Sequence, residues 1–245
     1  MIKFFRKIRQ KMLTENKFSK YLIYAIGEIV LVVIGILIAL WINNWNNQRK
    51  ADYQATDLLR NIKVDLVSDT LAFDKSIEFY KELIAEKKKL NSISEFEFIK
   101  LDSVINIMSS TYSLYDINIT TFTKVTNLGI TKLSKSDTLS NKIYSYYTKE
   151  LKSFGEYINW EKERTTNEGN YWFSQNEFEF GGEFPKFQDS ITSRQNFIKL
   201  ITEPKGRNQI LNDYYRKKRV LDKYLEMKNI ASELIREIQI DLKTN

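Results

Sequence analysis

The sequence predicts an all-α protein, with one N-terminal transmembrane helix followed by an elongated antiparallel helical bundle outside the cytoplasm. The segment 21–42 is apolar on every face of a helix. Beyond it, apolar residues recur every three or four positions, the period of a helix or coiled-coil seam. Residues 46–90 contain no Gly or Pro to interrupt that period. We therefore divide the chain into a basic segment (1–20), a transmembrane helix (21–45) and a helical domain (46–245).

The apolar segment is long enough to cross a bilayer. About 20 helical residues, at ~1.5 Å each, cross the ~30 Å hydrocarbon core. The 22 residues of 21–42 carry a single charge, on Glu28. Aromatic residues flank the segment as interfacial belts do, and they are Tyr21, Tyr24, Trp41 and Trp45. A cleaved signal peptide would need a shorter apolar core and a small-residue cleavage site, so we expect an uncleaved signal anchor.

Basic residues predict the orientation of this anchor. Residues 1–20 hold seven basic residues and one acid, whereas residues 43–62 hold three basic residues. The positive-inside rule then places the N-terminus in the cytoplasm and the residues after Trp45 outside it. Residues 1–13 form an amphipathic pattern suited to the anionic cytoplasmic leaflet, and a docking helix for a cytoplasmic partner is the alternative.

The N-terminal sequence resembles that of a known group of proteins. The stretch MIKFFRKIRQKMLTENKFSKYLIYAIGEIVLVVIGILIALWINNWN is similar to the N-terminus of a family of uncharacterised bacterial membrane proteins, a domain of unknown function. A weaker similarity covers residues 126–130 and the pair Tyr146-Tyr147. The resemblance implies a single-pass protein of the bacterial inner membrane with a periplasmic helical domain, and it implies no activity.

The amino-acid composition excludes several kinds of partner and catalytic site. The net charge of +7 is mostly local, because residues 1–20 contribute +6 and residues 29–245 contribute +2. The positive charge is therefore a topology signal, and we expect no nucleic-acid partner. The chain has no His and no Cys, which excludes Ser-His-Asp and Cys-His nucleophile pairs and the usual zinc sites. We expect no catalytic residues, no metal and no cofactor.

Helix signals divide the domain. One helix of ~40 residues is predicted over 46–90, continuing the span or following it, with Lys87-Lys88-Lys89 as a solvated last turn. Ser94 and Glu97 have capping-box spacing and predict a second helix through Met108. Thr120 or Thr121 is expected to cap a third helix that ends at Gly129.

Three further segments complete the bundle. A longer helix is predicted to follow Asp137 and to run through Ile158. Another is predicted from about Asp189 to Glu203, where Pro204 and Gly206 stop it, and a last one over 207–243. The last helix is expected to pack antiparallel along the first. Residues 171–187 are rich in aromatics and contain Gly181-Gly182. A hairpin there would pair aromatic with acidic residues across the strands, so an ordered loop or a ragged hairpin is predicted.

The candidate sites are few. Residues 29–42 are too short to span, which places Glu28 inside the hydrocarbon edge, where a carboxylate pairs, carries protons or reaches the interface. Gly27, Gly35 and Ala39 form a small-residue stripe that would permit self-association or contact with a membrane partner. The aromatic loop is a candidate binding surface or a cap for the open end of the bundle, and its residues are Tyr171, Trp172, Phe173, Phe178, Phe180 and Phe184. Glu161, Glu163 and Glu168 precede it, but no spacing selects two of them as a glycosidase pair.

The sequence therefore favours a membrane-anchored protein that acts by binding or scaffolding, without catalysis. The alternative is an accessory subunit of a proton-gradient-coupled membrane complex that uses Glu28. A ligand sensor is disfavoured because the 20 residues before the span are too few for an output domain.

Overall fold

A computed structural model describes residues 18–94, 100–108, 111–113, 117–175, 177, 179 and 185–244. Within these residues the secondary structure is entirely helical, so the all-α prediction is confirmed. The helices are α1 (Phe18–Asn91), α2 (Leu101–Met108), α3 (Thr120–Asn127), α4 (Asp137–Ser145), α5 (Leu151–Phe173), α6 (Ser190–Thr202) and α7 (Pro204–Thr244). A π-helical turn, Tyr146–Glu150, joins α4 to α5.

The chain divides into two compact units, Met1–Ala55 and Thr56–Asn245, and α1 contributes to both. In the first unit, the described side chains of residues 29–50 are all exposed. Arg49 lies over the rings of Trp45 and Tyr53, at 5.8 and 5.7 Å from their centroids. The predicted amphipathic segment 1–13 lies outside the described residues.

Three long helical stretches form the frame of the second unit. From the N-terminus of α1 towards its C-terminus, Asp74 pairs with Lys228 and Lys87 pairs with Asp213. The partner numbers on α7 fall as those on α1 rise, so the two helices run antiparallel, as predicted. Along α4 and α5, Lys142 pairs with Glu237 and, further on, Glu168 pairs with Arg216, so this stretch is antiparallel to α7 as well.

The main apolar core lies between these three stretches. Leu66, Tyr146 and Val220 are wholly buried in it. The Tyr224 ring is its aromatic centre, with Phe154 at 5.0 Å, Tyr80 at 5.5 Å and Phe73 at 6.2 Å. Ring pairs at these separations add to the free energy gained from their burial.

A second, smaller core lies towards the other end of the same unit. It brings together Leu90, Val104, Met108, Trp172, Phe197, Ile201 and Ile210. The α6–α7 junction supports it through a close approach, because a Cβ on Gly206 would lie 2.0 Å from the Leu200 carbonyl oxygen. Only glycine fits there.

The boundaries of α3 show one correct prediction and one wrong one. Gly129 has φ +65° and follows the helix, while Ile130 N donates to Val125 O at 3.2 Å, which is the predicted glycine C-terminus in its Schellman form. No threonine caps the start of α3. Instead, the Asp65 carboxylate on α1 accepts Thr121 N at 3.3 Å.

Two other helix starts differ from the predictions by a few residues. Ser136, and not Asp137, is the N-cap of α4, because its side chain accepts Leu139 N at 3.3 Å. Pro204 ends α6 but also begins α7, three residues before the predicted start, because proline needs no N–H donor at a first helical position. Asp189 caps α6 by accepting Ile191 N and Thr192 N, so the helix begins one residue after the predicted start.

Candidate functional site

The most polar interior feature is a cluster of six charged side chains in the second unit. It contains three cations and three carboxylates, each at most 5% exposed, and we call it the buried charge cluster: Lys87, Glu161, Glu168, Asp213, Arg216 and Lys217. The predicted solvated turn at Lys87–Lys89 is therefore wrong for Lys87, whereas Lys88 and Lys89 are exposed.

Arg216 is the hub of this cluster. Its Nε donates to Glu161 Oε2 at 2.8 Å and its Nη2 to Glu168 Oε2 at 2.6 Å, and Nη2 also contacts Asp213. A guanidinium has five donors in a fixed plane, so it can hold several carboxylates at once.

The two lysines complete the arrangement. Lys87 Nζ lies 2.8 Å from Asp213 Oδ2 and donates to the Met108 carbonyl at 3.1 Å. Lys217 Nζ binds Glu161, Thr165 Oγ1 at 3.0 Å and the Thr111 carbonyl at 2.6 Å. Charges taken out of water destabilise a fold unless they are paired in this way.

The pKa values of the buried carboxyls Glu168 and Asp213 are shifted in opposite directions. Burial raises the pKa of Glu168 to about 7, and Asp213 adds to the rise while Arg216 opposes it. Burial opposes ionisation of Asp213 too, but Lys87, Lys217 and Arg216 hold the pKa of this carboxyl below its usual value. One carboxyl is thus tuned to titrate near neutral pH while its neighbour stays ionised.

The cluster forms a layer between the two apolar cores. On α1 it falls between Tyr80 and Leu90, on α5 between Ile158 and Trp172, and on α7 between Ile210 and Val220. Sequence reasoning missed this layer. The signal that could have found it is the placement of Glu161, Thr165 and Glu168 at helical spacing on the buried face of α5.

The structure separates the predicted aromatic surface into different environments. Tyr171, Trp172 and Phe173 lie in the last turn of α5, so the irregular region does not begin at Tyr171 as predicted. Trp172 is buried in the second core and Phe173 is 70% exposed. Lys205 Nζ lies 5.0 Å from the Tyr171 ring centroid. Phe178, Phe180 and Phe184 lie outside the described residues.

The predicted membrane residues lie together on α1. Gly27, Gly35 and Ala39 are exposed, and a Cβ on either glycine would meet nothing within 4 Å. Glu28 is half-buried. By length and composition, α1 is a helix that could cross a membrane, and it is the one such helix in the described part of the chain.

Together these features define an all-α protein with a candidate membrane anchor at its N-terminal end. The chain belongs to a family of unknown function, DUF6090, whose model matches residues 28–180. The predicted membership of an uncharacterised family is thereby confirmed. No curated protein and no solved structure matches the chain.

Proposed function

We propose that this protein is a single-pass protein of the bacterial inner membrane whose helical domain lies in the periplasm and acts by binding or scaffolding. The observation that carries the proposal is the apolar stretch of α1. Its side chains at 29–42 are exposed and uncharged, and such a surface is stable in lipid but not in water.

The interior of the domain supports a non-catalytic role. Ionisable groups that do chemistry must reach a substrate, but the six charges of the buried charge cluster face one another and are shielded from solvent. Their pairing positions three long helices, which is a structural task. The surface of the domain then remains for contacts with other molecules.

Reporter fusions test the topology. A reporter active only outside the cytoplasm should be active when fused after Asn245 and inactive when fused before Met1. The opposite pattern would overturn the orientation. Recovery of the protein in the soluble fraction after alkaline extraction of membranes would overturn the anchor itself.

The proposed binding role is tested by purification. The full chain, extracted in mild detergent with crosslinking in the intact cell, should bring down a partner or a second copy in a defined ratio. A chain that remains monomeric and alone under these conditions would contradict the scaffold proposal.

The proton-coupled alternative makes a separate prediction about Glu28. An acid at the hydrocarbon edge costs less than the roughly 2.5 to 3.5 kcal/mol of an acid at the bilayer centre, but a plain anchor still gains from its removal. Glu28→Gln keeps the shape of the side chain but can neither ionise nor carry a proton. Loss of partner binding in Glu28→Gln with normal insertion would support the alternative, and wild-type behaviour of both Glu28→Gln and Glu28→Leu would refute it.

A further inference from the structure

A cleft of about 310 Å³ opens on the surface of the second unit, between α5 and α7. Phe154 from α5 and Met227 from α7 lie at its base, and both are almost fully buried. Its volume is at the small end of the range for ligand sites, which suits one amino-acid-sized group. It is separate from the buried charge cluster, none of whose side chains lines it.

Two aromatic side chains form one wall of this cleft. The rings of Tyr157 and Trp160 have centroids 5.3 Å apart and are tilted by 39°. Both side chains are half-buried, so part of each ring remains open to solvent. The Trp160 ring already attracts a cation, because the guanidinium carbon of Arg164 lies 6.0 Å from its centroid.

The charges of the lining are unbalanced. Glu150, Glu156 and Glu226 face one ammonium group, that of Lys223, which lies 2.6 Å from Glu226. Glu150 lies 3.6 Å from Lys149, outside the cleft. Among the described side chains, Glu156 forms no ion pair within 4 Å. The cleft thus combines negative aromatic faces with an excess of carboxylate.

The backbone beside the cleft is also unusual. The π-helical turn ends at Glu150, so the turn carries one of the cleft carboxylates. Single π-helical turns inside α-helices are rare and are found frequently at functional sites. This observation is independent of the side-chain charges and points to the same place.

We propose that this cleft binds a guanidinium or ammonium group carried on a short apolar stem. The stem would pack on Phe154 and Met227, and the cation would lie against the aromatic wall near Glu156. A neutral sugar could stack on the same rings but would bring no cation to the lining, where three carboxylates face one ammonium group; Lys149 and Arg164 lie outside that lining. Arg219 lies near Tyr157 and opposes the rise in that residue's pKa that burial causes, so local positive charge limits the affinity for the ligand. The inference rests on the proposed binding function and names its ligand class.

Calorimetry on the full chain in detergent micelles tests it. The probe is N-acetyl-L-arginine amide, and N-acetyl-L-citrulline amide is its uncharged counterpart. The arginine compound should bind about tenfold more tightly than the citrulline compound. Trp160→Ala and Glu156→Gln should each weaken its binding about tenfold. The matched control is Glu163→Gln, an exposed carboxylate on the same helix outside the cleft, and it should leave binding unchanged.

A second probe distinguishes whether the cation belongs to a protein segment or to a free small molecule. A blocked tripeptide with arginine at its centre should bind more tightly than the single residue if a protein segment supplies the cation, and equally if a free small molecule does. Equal binding of the arginine and citrulline compounds would overturn the proposal. Binding unchanged in both Trp160→Ala and Glu156→Gln would overturn it too. Neither result depends on the topology reporters, so failure here is distinct from failure of the membrane anchor.

Discussion

Replacing Glu168 by glutamine should remove most of the pH dependence of stability between pH 5 and pH 8. The pKa of this carboxyl is about 7 in the folded protein against an ordinary value of 4.5, chiefly because it is buried. The folded state therefore retains a proton that the unfolded chain has already released. The stability linked to this proton is full below pH 4.5 and is lost as the pH rises through 7.

The magnitude follows from the size of the shift. A rise in pKa from 4.5 to about 7 corresponds to about 3 kcal/mol, most of which falls between pH 5 and pH 8. Wild-type protein should be less stable at pH 8 than at pH 5 by this amount. Glu168→Gln cannot titrate, yet its amide oxygen can still accept a hydrogen bond from Arg216, so its stability should change by less than about 1 kcal/mol over the same range.

The assay is guanidinium unfolding of the full chain in detergent, followed by near-ultraviolet circular dichroism of the buried tyrosines. The range is kept above pH 5 because the lowered pKa of Asp213 makes the protein lose stability in stronger acid. Glu163→Gln on the same helix is the matched control and should follow the wild type. Parallel pH curves for the wild type and Glu168→Gln would refute the assignment of this titration to Glu168.

Two further substitutions probe the same domain, each with a control on the same chain. Lys87→Met leaves Asp213 buried with one cation fewer and should destabilise the fold by about 3 to 5 kcal/mol in denaturant titrations. Lys88→Met, at an exposed position, is the control and should change the stability by less than about 0.5 kcal/mol. Gly206→Ala should lower the stability by about 2 to 3 kcal/mol, because its Cβ would overlap the Leu200 carbonyl. Gly169→Ala meets open space inside a helix and should raise the melting temperature; a reversed order of the two glycine variants would contradict the close approach at the α6–α7 junction.

The helices were predictable because their signals are local. The apolar seam of α1, the glycine after α3 and the Asp189 cap of α6 each depend on residues within a few positions of one another. The antiparallel pairing of α1 with α7 also follows from two seams of similar length.

The buried charge cluster could not be predicted in the same way. Lys87 lies in a run of three lysines at a helix end, where solvation is the ordinary outcome, and its burial depends on Asp213, 126 positions further along the chain. In the sequence Glu161 and Glu168 stand out as acids but not as core residues, because their partners Arg216 and Lys217 lie on another helix. The cleft could not be predicted for the same reason, since its walls come from α5 and α7, which are far apart in the sequence.

The capping of α3 by α1 has a consequence for the order of folding. Asp65 accepts Thr121 N and Asn118 Nδ2, and Asp69 accepts Asn118 N at 3.0 Å, so both acceptors come from a helix more than 45 residues earlier in the chain. Asn118 Oδ1 accepts Thr120 N at 3.0 Å, but Asn118 is itself held by Asp65 and Asp69, and an eight-residue helix is unstable by itself. The amide protons of α3 should therefore exchange with solvent whenever α1 separates from this segment. Asp65→Asn should accelerate exchange across α3 while leaving exchange in the middle of α7 unchanged.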